Sequence, residues 1–280
     1  MITEICKFII YSLLIVVIAK YILVKLLRNF AENLNLKPKT VGQIAGVATS
    51  IPELLTISFS AFAGFIGTSI YNVLSSNIIN LMQYILSIFI SKNIKHLLNK
   101  ALKIDVILVL VTILIPIGLL LLDIQINVAI LPLLIILFML FLFINHNTHK
   151  LYLEKEEKIL EEEILEEEKW KKGKKNLTVK YIIYLLATSI LLFVVGNLLS
   201  ESLEKLCVIF KIKESIMGIL LGVITSIPEL ITFFESQKHY INNKNEKLGV
   251  VEATNNLLTS NLLNLFVIQS IGIVIYVLFN

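Results

Sequence analysis

The hexapeptide Thr49-Ser50-Ile51-Pro52-Glu53-Leu54 recurs, letter for letter, as Thr225-Ser226-Ile227-Pro228-Glu229-Leu230. Both copies lie inside long apolar runs, where a proline removes a helix hydrogen bond and a carboxylate is costly to desolvate. A second pair of blocks follows. "YNVLSSNIINL" (Tyr71–Leu81) and "NNLLTSNLLNL" (Asn255–Leu265) share the pattern N-x-x-x-S-N-x-x-N-L. Lys37, Gly42, Gly46 and Val47 also fall on Lys213, Gly218, Gly222 and Val223. The offset is 176 from Thr49 to Thr225 and 184 from Ser76 to Ser260, because the second half is longer around His239–Lys247. A duplication kept only for helix packing would match best at apolar positions, whereas here the polar positions match best.

The surroundings of these blocks require lipid. Hydrophobic residues make up 56% of the 280 residues, charged residues only 16%, and the mean hydropathy is +0.84. A soluble domain would carry about a quarter charged residues. A spanning helix needs about 20 mostly apolar residues. Such runs occur at roughly 8–27, 40–63, 69–91, 104–122, 126–145, 180–200, 213–235 and 248–278. Runs of this length satisfy their backbone groups in lipid only as helices, so the chain is expected to be an all-α integral membrane protein with about eight spans. The first run, Phe8–Val24, is longer than the core of a signal peptide and no small-residue cleavage site follows it. Cys6 and Cys207 fit neither a disulfide framework nor a metal knuckle, and both read as free thiols.

Charge sets the orientation. The net charge of +4 does not indicate a nucleic-acid partner, because the lysines lie between apolar spans, as on a membrane surface. With the N-terminus outside, the outer connections hold only Lys7, Lys205, Lys211 and Lys213. The inner ones hold Lys25, Arg28, Lys37, Lys39, the cluster Lys92–Lys103, most lysines of the central segment, and Lys238, Lys244 and Lys247. The positive-inside rule selects this arrangement. The central segment, 146–179, reads as a solvated cytoplasmic helix with a basic end, Lys171–Lys175, beside the membrane and Trp170 as an interfacial anchor. Its glutamates lack the spacing of an EF-hand loop. It divides a first half, 1–145, holding repeat 1 (36–91), from a second, 180–280, holding repeat 2 (212–276). The copies begin in spans two and seven, an odd number apart, so they run through the membrane in opposite senses. Inverted repeats place a shared site near the midplane in many secondary transporters.

The repeated residues suit a hard cation. A carboxylate near the bilayer centre costs about 2.5–3.5 kcal/mol on insertion scales. Glu53 and Glu229 are tolerable if they share a polar cavity and bind a cation. Two negative charges match one Ca²⁺ or a set of Na⁺ ions, and Ca²⁺ takes about 6–8 oxygens. A proline cannot donate to the carbonyl four residues back. Pro52 therefore releases the carbonyl of Ala48, and Pro228 that of Ile224. Thr49, Ser50, Thr225 and Ser226 add hydroxyls on the same turn. Ser76 and Asn80, like Ser260 and Asn264, are four residues apart and share a helix face. Asn77 and Asn261 are expected to bond open backbone groups, together with Asn72 and Asn256. Glu235 and Glu252 sit near span ends and read as interfacial. Asp105 and Asp123 flank spans and receive no role. His96, His146, His149 and His239 all fall in inner loops, which suggests neither a midplane proton relay nor a transition-metal cluster.

These blocks resemble the two α-repeats of the sodium/calcium exchanger, or cation/Ca²⁺ antiporter, superfamily, with G-[ST]-S-x-P-E on one helix and G-N-x-x-G-S-N-x-x-[ND] on the next. The resemblance covers about 36–91 and 212–276 by motif and the rest by topology. It implies an inverted-repeat antiporter fold, Glu53 and Glu229 as main Ca²⁺ and Na⁺ ligands, and Thr49, Thr225, Ser50, Ser226, Ser76, Ser260, Asn80 and Asn264 completing the sites. It also implies alternating access in which spans one and six slide past the core. Three features depart from the pattern. The usual fold has ten spans, and no counterparts of spans four and five follow span eight. Family glycines are replaced by Ala48 and Ile224, Ser75 and Thr259, and Tyr71 and Asn255; the bulk of Tyr71 and Ile224 would narrow an ion path. One turn is lengthened at His239–Lys247.

The function expected from these observations is a Na⁺/Ca²⁺ antiporter needing no cofactor besides its transported ions. A cation/H⁺ exchanger and a diverged, non-transporting sensor or partner subunit are the alternatives. No nucleophile–base set or phosphate loop supports an enzyme. The expected location is a plasma membrane, with bacterial origin suggested by the abundance of Lys, Asn and Ile. The flank left by the uncounted spans allows a homodimer.

Overall fold

The computed structural model describes residues 2–34, 36, 38–97, 100–121, 128–144, 175–242 and 245–280. Among them every regular element is a helix. Span one is one continuous helix: α1 (Ile2–Ile18), a π-turn (Ala19–Leu23) and α2 (Val24–Leu34). Span two is α3 (Pro38–Thr49) and α4 (Ile51–Phe62), and span three is α5 (Ile66–Ile90). A short α6 (Ile94–Leu97) leads to α7 (Lys100–Leu121), and a 3₁₀ turn (Val128–Ile130) leads to α8 (Leu131–Ile144). The second half contains α9 (Lys175–Phe210), α10 (Glu214–Thr225) and α11 (Ile227–Asn242). It ends with α12 (Glu246–Leu262), a π-turn (Leu263–Ile268) and α13 (Gln269–Phe279).

Each expected span thus falls on a helix. Among the described residues, 38–62, 66–90, 178–210, 215–242 and 246–279 are long and apolar enough to cross a membrane. Two lengths differ from expectation. The sixth helix continues to Phe210, ten residues past the expected edge, and α8 covers only Leu131–Ile144 of span five. Most of the charged central segment lies outside the described residues, although α9 already begins at Lys175.

Solvent preference is reversed relative to a soluble protein. Leu13, Ile85, Phe89, Leu140, Ile190 and Val208 are exposed, while Thr49, Ser50, Asn72, Ser76, Thr225 and Asn256 are buried. The outward faces are matched to lipid tails, and polar residues face the bundle interior, where they find partners. On one flank, α1 and α9 pack through Ile15, Ile18, Leu192 and Leu199 onto Ala45, Ala48 and Ile224 of the core. On the other, α7 and α8 join α5, α12 and α13 around Tyr84, Phe141, Phe233 and Phe266.

The halves interlock at the centre. Helix α3 packs most extensively on α12, and α5 on α10, so each helix finds its main partner in the other repeat. Small residues permit this. A Cβ on Gly46 would lie 2.7 Å from the Asn256 carbonyl and 2.8 Å from Thr259 Cβ. One on Gly218 would lie 2.7 Å from Tyr71 Cβ, and one on Gly42 3.0 Å from Asn255 Cβ. The side chains that replace family glycines at 71, 75, 255 and 259 are therefore met by glycines on the facing helix. Tyr71 is accommodated against Gly218, and Ile224 turns into the apolar flank with Ile15 and Leu192. Ile224 therefore packs away from the buried polar centre, contrary to the expectation that its bulk narrows a path. The lengthened turn also resolves differently: α11 continues to Asn242 and α12 begins at Glu246, so helix takes up most of the added length.

Candidate functional site

Each TSIPEL ends one helix and starts another. The chain breaks at Ser50 (φ −81°, ψ 0°) and, almost identically, at Ser226 (φ −80°, ψ 0°). Pro52 and Pro228 then sit in the first turn of α4 and α11, where a missing N–H costs nothing because that donor has no intrahelical partner. Glu53 and Glu229 occupy the same first turns. The positive end of the helix dipole favours a carboxylate there. The C-terminal ends of α3 and α10, with their carbonyl-negative charge, meet the same breaks.

The site residues are brought together and closed off. Thr49, Glu53, Ser76, Asn80, Thr225, Ser226, Glu229, Ser260 and Asn264 are fully buried, and Ser50 is 2% exposed. Ser260 links the halves. Its hydroxyl donates to Glu229 Oε1 at 3.0 Å, lies 2.9 Å from Ser50 Oγ, and accepts from Asn80 Nδ2 at 3.3 Å. The two glutamates are close enough to repel, with Thr225 of one repeat beside Glu53 of the other and Thr49 beside Glu229. The Thr49 and Thr225 hydroxyls donate to the Ala45 and Leu221 carbonyls at 2.9 and 3.0 Å, which leaves their oxygen lone pairs available. Ala48 and Ile224 can contribute only backbone, since their side chains face the apolar flank.

Several oxygens have no hydrogen-bond partner in the protein. They are both carboxylate oxygens of Glu53, Oε2 of Glu229, Oγ of Ser226, and Oδ1 of Asn80 and Asn264. Buried polar atoms are normally paired, and an unpaired carboxylate is the most expensive exception. A hard cation would satisfy this donor set, with oxygen ligands only and two formal negative charges. Among the described residues no three His, Cys, Asp or Glu side chains cluster, so nothing there resembles a transition-metal centre. The halves are not equivalent in detail. Ser260 donates to Glu229, whereas its counterpart Ser76 donates to Asn72 Oδ1 at 3.1 Å and leaves Glu53 unbonded.

Asn77 and Asn261 do bond backbone, but the carbonyls they reach lie within helices of the opposite repeat instead of at open ends, and they do so reciprocally. Asn77 Nδ2 donates to the Asn261 carbonyl at 3.1 Å, and Asn261 Nδ2 to the Asn77 carbonyl at 3.2 Å. Asn72 and Asn256 instead bond side chains, Ser76 and Thr232. Glu252 is not interfacial. It is 2% exposed and clasped by Arg28 through bonds of 2.9 and 2.8 Å. Asp105, placed by sequence at a span edge, is 3% exposed. His96 lies 3.6 Å from Glu246 and His239 stacks edge-on to Tyr240, both apart from the site; Asp123, His146 and His149 lie outside the described residues. Cys6 is a free, exposed thiol.

Inverted repeats meeting at a buried, two-carboxylate oxygen site define a secondary transporter architecture for cations. The sequence profile of the sodium/calcium exchanger protein family matches residues 6–146 and 180–278. The chain belongs to that family. Its fold is similar to solved structures of the sodium-calcium exchanger NCX_Mj. The form soaked with 10 mM Na⁺ and zero Ca²⁺ gives a TM-score of 0.57 at 18% identity, covering 98% of this chain and 84% of that one. The form soaked with 100 mM Na⁺ and 10 mM Sr²⁺ gives 0.57 at 20% identity, covering 98% and 83%. No curated protein sequence matches the chain.

Proposed function

We propose that the chain is a Na⁺/Ca²⁺ antiporter working by alternating access in a plasma membrane, with its N-terminus outside. The observation that carries this reading is the pair of fully buried carboxylates, Glu53 and Glu229, surrounded by oxygens without partners. Two negative charges neutralise one Ca²⁺, and the amides Asn80 and Asn264 add no third. Na⁺ ions placed on the same oxygens would compete, which is the requirement for exchange. The burial of every site residue fits an occluded conformation. NCX_Mj was solved after soaking with Na⁺, Ca²⁺ or Sr²⁺, and its fold likeness supports the same class of cargo here.

The test is ⁴⁵Ca²⁺ uptake into liposomes holding the purified chain, with and without an outward Na⁺ gradient. Uptake that depends on the gradient and is lost in Glu53→Gln and Glu229→Gln is the expected result. Normal exchange by both variants would overturn the assignment. A second reading, cation/H⁺ exchange, is favoured by the unpartnered oxygens of Glu53 next to Glu229, because a proton would also relieve that repulsion. Uptake driven by a pH gradient and indifferent to Na⁺ would select it.

A further inference from the structure

Two ladders of buried polar side chains lead away from the site, one in each repeat. In the second repeat the rungs join α11 to α12. Ser260 bonds Glu229, Asn256 Nδ2 donates to Thr232 Oγ1 at 2.6 Å, and Ser236 Oγ donates to Glu252 Oε1 at 2.5 Å. Residues 229, 232 and 236 are spaced at three and four, so the rungs climb one face for about two turns, roughly 10 Å. In the first repeat the same positions are Glu53, Thr56 and Ser60 on α4 and Ser76, Asn72 and Thr68 on α5. The repeats are inverted, so the ladders run toward opposite membrane faces.

The ladders differ at their last rung. In the first repeat it is Ser60 and Thr68, both uncharged, with hydroxyls that bond nothing. In the second it is Ser236 with Glu252, a carboxylate where the first repeat has a threonine. Both of its oxygens are held by Arg28 of α2. Beyond Arg28 lies a cavity of about 390 Å³ lined by residues that include Lys25, Arg28, Glu235, Lys238 and Asn242. Lys25 and Arg28 both ride on α2, whereas Glu235, Lys238 and Glu252 belong to the core. Withdrawing α2 would remove two of these three basic charges and leave both carboxylates. The balance of charge around the cavity would change from basic to acidic in one movement.

We infer that Glu252 and Ser236 form a secondary cation station between the central site and the Lys25 face, occupied in this conformation by the Arg28 guanidinium as a tethered cation. A buried carboxylate without a partner is costly, so the exchange of guanidinium for a mobile cation keeps Glu252 compensated in both positions of α2. The central site keeps a net charge of −2, and the station adds one further negative charge along the same path. This inference rests on the cation-transport reading, but its test does not depend on transport.

The experiment is equilibrium ⁴⁵Ca²⁺ binding to the full chain purified in detergent. Wild type against Glu53→Gln/Glu229→Gln reads the central site alone. Adding Arg28→Gln to that double variant should restore weak binding, about millimolar as expected for a site with few ligands. Adding Glu252→Gln as well should abolish it, whereas Arg28→Lys should not uncover it. Arg28→Met, which keeps side-chain length and apolar packing, is read in parallel should Arg28→Gln misfold, and size-exclusion chromatography and circular dichroism verify folding. Folded Arg28 variants that gain no Glu252-dependent Ca²⁺ binding would overturn the station and leave a purely structural ion pair. Failure of wild type to bind Ca²⁺ would instead count against the central assignment.

Discussion

Replacing Gly46 by alanine should damage the ion site without touching any of its ligands. The new Cβ would lie 2.7 Å from the Asn256 carbonyl, 2.8 Å from Thr259 Cβ and 3.1 Å from the Ser260 nitrogen. Ordinary contact begins near 3.4 Å, so α12 must retreat from α3 by about 0.7 Å. Ser260 travels with that backbone. Its 2.9 Å approach to Ser50, at the end of α3, would open to roughly 3.6 Å, outside hydrogen-bonding range, and the hydroxyl that bonds Glu229 at 3.0 Å would move with it. Overpacking costs about 1–3 kcal/mol, and each bond to a charged group is worth about 1.5–3 kcal/mol. Gly46→Ala should therefore lower thermal stability and weaken Ca²⁺ binding by about tenfold or more, since 1.4 kcal/mol is a factor of ten. The control is Gly118→Ala, where a Cβ meets nothing within 4 Å and alanine should stabilise the helix by up to about 1 kcal/mol. Thermal unfolding in detergent and ⁴⁵Ca²⁺ binding read both variants. Equal melting points and equal affinities for the two would refute the argument that close helix contact sets the site.

Two further outcomes follow from the same geometry. Glu53→Gln replaces an acid whose oxygens have no partner by a neutral amide of the same shape, so the cation-free variant should melt no lower than cation-free wild type; it should also lose the rise that cation brings, about 2.7 kcal/mol at a hundredfold excess over Kd. An equal cation-induced rise in both proteins would contradict this. Asn77→Ala and Asn261→Ala each remove one buried amide-to-carbonyl bond between the repeats, and should each cost about 0.5–1.5 kcal/mol in thermal unfolding and match one another closely; a neutral result at either position would remove the reciprocal bonds from the account.

The spans, the inverted repeat and the cluster of site residues were legible because they rest on local signals: run length, letter identity and i,i+4 spacing. What sequence could not supply was pairing across the repeats. Gly42 and Gly46 recur as Gly218 and Gly222, a visible signal, yet their role depends on facing Asn255, Thr259, Tyr71 and Ser75 in the opposite half. Reading the motif glycines within each block alone suggested a crowded path. Glu252 was misplaced for a similar reason. Its position near a span end points to the membrane surface, but its partner, Arg28, lies 224 residues away. The restart at Ser50 and Ser226 was partly visible: proline followed by glutamate is a helix-start signature as well as a kink signature. Apolar patterning hid it because both half-helices continue along one span.

The interlocked halves impose a constraint on how the protein is made. Helix α3 finds its main partner in α12 and α5 finds its in α10, and the Ser50–Ser260 contact spans 210 residues of chain. At about 5–20 residues per second, a ribosome needs roughly 10–40 s to deliver Ser260 after Ser50. During that interval the nascent first half must enter the bilayer with Glu53, Asn77 and Asn80 lacking the neighbours they will have. The cost of joining the site from two ends of one polypeptide thus falls on biogenesis, before any ion is moved.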